Sequence, residues 1–104
     1  MTPPSDDVFE PPTIYRARLT PEDVDALLGD IATCAVVQEI RCRDIGDPAG
    51  TRTLESLNEM LELIRSKSIR GLQIRYLHDN TLWFDTLMFE AEGNVELTRI
   101  EQPA

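Results

Sequence analysis

RGLQIRYLHDNTLWFDTLMFEAEGNVELTRIE, from Arg70 to Glu101, reads as three antiparallel strands joined by two short polar turns. Apolar and polar residues alternate through Leu72, Gln73, Ile74, Arg75 and Tyr76, the period-2 pattern of a strand with one buried face. Turn residues follow at His78-Asp79-Asn80-Thr81 and again at Glu92-Gly93-Asn94. The segment also holds the only Trp, the only His and two of the three Phe, so any function of the chain has to pass through it.

The first hairpin has two candidate registers. A two-residue loop at Asp79-Asn80 would set Ile74 against Asp85 and Arg75 against Phe84, a charge against an apolar side chain on each face. A three-residue loop, Asp79 to Thr81, pairs Arg75 with Asp85, Tyr76 with Phe84, Leu77 with Trp83 and Leu72 with Met88. Such cross-strand pairs are worth only ~0.2 to 1 kcal/mol each, but a one-residue slip moves every side chain to the other face, so the preferences act together. The three-residue loop is therefore expected. It puts Leu72, Ile74, Tyr76, Leu82, Phe84, Thr86 and Met88 on an inner face, and Gln73, Arg75, Leu77, Trp83, Asp85, Leu87 and Phe89 on an outer one.

Upstream, Thr51 or Thr53 is expected to cap a helix running to about Lys67, with Leu54, Leu57, Leu61 and Ile64 on its apolar stripe and Met60 and Leu63 widening it. Glu55 and Glu59 come early and Arg65 and Lys67 late, matching the helix dipole. Glu55, Glu59 and Glu62 read as a solvated face, since no His lies on that helix to make a metal cluster. Asp44 to Gly50, DIGDPAG, breaks both periodicities and lacks the spacing and Lys of a phosphate-binding P-loop, so it reads as a connection. Before it, Cys34 to Arg43 alternates Val36, Gln38, Ile40 and Cys42 against Val37, Glu39, Arg41 and Arg43, a second strand.

Thr20-Pro21-Glu22-Asp23 is a helix start: an N-cap hydroxyl, Pro at the first helical position and acids in the first turn. Val24, Leu27, Leu28 and Ile31 follow at helical spacing, and Gly29-Asp30 marks an expected weakening. Thr13 to Leu19 alternates as an edge strand. Residues 1 to 12 carry four of the seven prolines and few apolar side chains, the composition of a disordered acidic tail.

The order is then β-α-β-α-β-β-β in one domain from 13 to 102. Each helix has a single apolar stripe, so both cover the same face of a mostly antiparallel sheet, giving an α+β two-layer sandwich. A ferredoxin-like plait with an added strand is one candidate. At 104 residues and 41% hydrophobic composition the chain holds one modest core. No apolar run is long enough for a transmembrane helix and the N-terminus lacks a signal-peptide pattern, so the expected location is cytoplasmic. Cys34 and Cys42, eight residues apart on one expected strand, would have Cα atoms ~26 Å apart and cannot form a disulfide.

A formal net charge of -9 disfavours nucleic acid and anionic membrane as partners. Nine of the ten basic residues are Arg, and Arg16, Arg18, Arg41, Arg43, Arg75 and Arg99 fall on expected strands. This segregation gives either cross-strand pairing, such as Arg75 with Asp85, or an anion site on the sheet. One His excludes a His-based metal site, and neither Cys has an obvious base. His78 beside Asp79 reads as a solvated turn residue.

No cofactor or metal is expected. The favoured function is a non-catalytic protein-interaction or accessory module. Its contact is the outer face, with Leu77, Trp83, Leu87 and Phe89 ringed by Arg75 and Asp85, and a homodimer is its simplest form. The alternative is a small-ligand-binding or catalytic domain with Arg75 holding a carboxylate, Asp85 as base, and Tyr76 or Trp83 as a wall.

Overall fold

Thr20 closes the first strand and opens the first helix. Its hydroxyl accepts the Asp23 N–H at 3.2 Å, and the Asp23 carboxylate accepts the Thr20 N–H at 3.0 Å, a reciprocal capping box behind Pro21. The structure, a computed structural model, describes residues 13–46 and 50–103. In chain order it holds β1 (Thr13–Leu19), α1 (Pro21–Cys34), β2 (Val36–Asp44), β3 (Arg52–Leu54), α2 (Leu57–Arg65), β4 (Ile69–His78), β5 (Thr81–Phe89) and β6 (Val95–Pro103). The expected disordered tail lies outside the described residues.

The strands form one antiparallel sheet in the order β1-β6-β5-β4-β2-β3. This α+β arrangement is the expected class, with one strand more than the sequence suggests. It is not a ferredoxin-like plait, because β1 stands at an edge, with three strands between it and β2. A helix of 14 residues is about 21 Å long. Four strand spacings come to about 19 Å, so α1 is long enough to carry the chain from β1 across to β2.

One core joins Val24, Leu28 and Ile31 of α1 and Met60 of α2 to Ile40, Cys42, Leu54, Leu72, Ile74, Tyr76, Leu87, Val95 and Leu97 of the strands. Register places all these strand residues on the same side, Ile40 beside Ile74, Leu72 beside Leu87, Leu87 beside Leu97. Both helices therefore cover one face of the sheet and leave the other open.

Three expectations about local structure need correction. The helix does not weaken at Gly29-Asp30, because its apolar stripe continues to Ile31; it ends with Cys34, and the Ala35 N–H bonds Ile31 O at 3.1 Å. Cys34 is thus on a helix rather than on β2, and both thiols are free. The second helix starts at Ser56, whose hydroxyl accepts the Glu59 N–H at 3.1 Å while the Glu59 carboxylate accepts the Glu55 N–H at 3.3 Å. Thr51 and Thr53 do not cap it. Residues 52 to 54 instead pair with β2, held there by Arg52, which donates to Asp44 at 2.8 and 3.1 Å. This ion pair holds the Asp44 carboxyl below its ordinary pKa.

Candidate interaction face

The first hairpin takes the two-residue loop. Asp79 and Asn80 have φ of 51° and 59°, the left-handed pair of a type I′ turn, which Asp and Asn tolerate. Ile74 consequently faces Asp85, Arg75 faces Phe84, Tyr76 faces Trp83 and Leu77 faces Leu82. The expected three-residue loop, with its Arg75–Asp85 pair, is overturned. The reason lies on β6: Asp85 has Arg99, not Arg75, as its ionic partner.

Asp85 is fully buried on the helix-covered face. Its Oδ1 accepts Arg99 Nε at 2.8 Å, and its Oδ2 accepts Arg99 Nη2 at 2.7 Å and the Tyr76 hydroxyl at 2.9 Å. A buried carboxylate is tolerated only when so paired. Burial, then the Asp85 charge, push the Tyr76 phenol pKa well up. The bond to Asp85 raises that of Arg99. Trp83 completes the cluster, its ring centroid 5.5 Å from the Arg99 guanidinium carbon and its Nε1 donating to His78 O at 3.4 Å. Beside it a hollow of about 250 Å³ is lined by Tyr15, Ala17, Trp83, Leu97 and Arg99. The second hairpin sets this pair. Across the five-residue connection Glu90 to Asn94, centred on Glu92, Phe89 faces Val95, Leu87 faces Leu97 and Asp85 faces Arg99.

The expected outer face is therefore split. Asp85, Leu87, Trp83 and Phe89 lie on the covered side, Asp85 and Leu87 wholly buried and Trp83 and Phe89 packed against the core. Gln73, Arg75 and Leu77 of that set stand on the open side. His78 bonds Cys34 O through Nδ1 at 3.0 Å, so it ties the end of β4 to the end of α1.

The same slip that buries Leu87 brings other apolar residues to the open face. Register aligns Ile14, Ile100 and Phe84 with Arg75 in one row, and Leu82, Leu77 and Val36 in the next. Val36 reaches the open face because a register shift between Val37 and Glu39 reverses the alternation of β2 there. Leu77, Leu82, Phe84 and Ile100 are half-buried yet stand apart from the core cluster, and Ile14 and Val36 are 56% and 65% exposed. Arg75 lies in this strip with its Nε buried and without a hydrogen-bond partner among the described residues. Its cross-strand neighbour Glu39 forms no ion pair among the described residues either.

Among the described residues no helix is long and apolar enough to cross a membrane. The chain matches no family model, and no curated protein or solved structure is significantly similar to it.

Proposed function

We propose that this protein is a non-catalytic interaction module that works through the open face of its sheet, most simply as a two-fold homodimer in the cytoplasm. The apolar strip carries the proposal: six aliphatic and aromatic side chains, adjacent across five strands, with no helix over them among the described residues. Contiguous exposed apolar surface of this kind is uncommon on monomers unless it is a contact. A two-fold axis also suits the charges at the strip, since Arg75 of one copy can meet Glu39 of the other and the reverse. Two free thiols, Cys34 and Cys42, are in keeping with a reducing compartment.

Substitution of Val36 by Asp tests the proposal without touching the core, because that side chain already lies in solvent. The wild-type chain should sediment as a dimer at high micromolar concentration and the Val36→Asp variant as a monomer with an unchanged helical circular dichroism signal. A wild-type monomer under those conditions would refute the dimer.

The hollow beside Trp83 supports a second reading, a small-ligand site with Arg99 in the place expected of Arg75. Trp83 is the only tryptophan, so its emission would report occupancy directly.

A further inference from the structure

At the end of the open face away from the Asp79-Asn80 turn, a second hollow of about 230 Å³ is lined by Arg41, Arg43, Thr51, Gln73, Thr86 and Met88, with Gly71 at its floor. Arg41 pairs with Gln73 and Arg43 with Gly71 across β2 and β4, so both arginines stand on the open side, with Cα atoms about 7 Å apart. Arg41 Nη2 donates to Thr51 Oγ1 at 2.8 Å, which fixes its guanidinium at the rim. Gly71 keeps the floor low: a Cβ there would come within 3.2 Å of Met88 Sδ.

The charge balance at this hollow is unusual for an acidic chain. Arg18, Arg52 and Arg99 are each held by a carboxylate, at 2.9, 2.8 and 2.7 Å. Arg41 and Arg43 have no carboxylate within ion-pairing distance among the described residues. Glu39 and Glu96 share the open face with them but bond neither. Two guanidiniums, a carboxamide and two hydroxyls therefore converge on one space, a set rich in donors with two positive charges that no described carboxylate pairs. Guanidinium pairs of this spacing suit an oxyanion that can accept from both at once.

We propose that the Arg41/Arg43 hollow binds a phosphoryl group, the dianionic end of a phosphate monoester. A dianion matches the two charges, and its three terminal oxygens can take bonds from Arg41, Arg43 and the amide of Gln73 together. A carboxylate offers one charge and two oxygens and leaves one arginine uncompensated. The site adjoins the apolar strip, Gln73 and Thr86 standing two residues along from Arg75 and Phe84, but it uses none of the strip's side chains and so does not rest on the dimer reading.

Titration with inorganic phosphate at constant ionic strength, followed in amide nitrogen–proton spectra, tests the assignment. Saturable shifts are expected at Arg43, Gly71, Gln73 and Thr86. Replacing either arginine, as Arg41→Gln or Arg43→Gln, should weaken binding about tenfold, the loss of one charge-assisted bond. The Gln73→Glu variant, which keeps both arginines but adds a carboxylate, should weaken it as well. Shifts that are absent, that survive in the Arg41→Gln/Arg43→Gln double variant, or that succinate produces as tightly as phosphate would overturn the proposal.

Discussion

The two faces of the sheet are built from alternate residues of the same strands, yet they follow opposite rules. Along β5 the covered side carries Trp83, Asp85, Leu87 and Phe89, and the open side Leu82, Phe84, Thr86 and Met88. Neither set is plainly polar. The covered face admits one carboxylate, and only with both oxygens bonded by Arg99 and one also by Tyr76. The open face keeps large apolar side chains for which the described residues supply no helix. Burial here is decided by what the third strand contributes, not by the hydrophobicity of the hairpin.

The largest expected effect comes from removing the partner of the buried charge. Arg99→Ala should cost about 3 to 5 kcal/mol in urea unfolding, because Asp85 would stay buried without its cation. Asp85→Leu combined with Arg99→Met should recover most of that loss, being an apolar pair of similar size. If the single and double variants are equally unstable, the pair does not set the covered face.

A smaller contrast separates two leucines of the hairpin. Leu87→Ala should cost about 2 to 5 kcal/mol, as it opens a cavity in a fully buried site. Leu77→Ala, on the open side, should cost the monomer about 1 kcal/mol or less. Equal losses would mean that the two faces are packed alike.

A comparably small effect is expected at the phenol. Tyr76→Phe should cost about 1 kcal/mol near neutral pH, one hydrogen bond to a carboxylate that keeps two others. The alkaline branch is more informative. An unfolded tyrosine ionises near pH ~10, whereas folded Tyr76 ionises higher, so the unfolded chain loses its proton first. Stability from this group is complete below the unfolded pKa and falls as pH rises above it. The wild-type protein should thus lose stability above pH ~10 more steeply than Tyr76→Phe.

Local signals were legible where one residue type has one physical use. Thr20, Pro21 and Asp23 announced α1, and the period of Val24, Leu27, Leu28 and Ile31 named its buried side. The alternation of β4 was legible too, since Leu72, Ile74 and Tyr76 are buried as expected. The hairpin register was not, because the rule that charge points outward fails for a carboxylate whose partner sits on another strand. The reversal in β2 was hidden for a similar reason: the register shift before Glu39 leaves no mark in composition. Of the expected contact residues only Arg75 and Leu77 reached the open face, while Phe84, Ile100, Ile14 and Val36 replaced the rest.

Intermolecular contacts between isotope-labelled and unlabelled copies test the division between the faces most directly. In a mixed sample, filtered nuclear Overhauser spectra should show contacts from the methyls of Leu77, Leu82, Ile14, Val36 and Ile100 to the other copy, and none from Leu72, Leu87 or Leu97. Intermolecular contacts confined to the helices, or none at high micromolar concentration, would contradict the open face as the working surface of this protein.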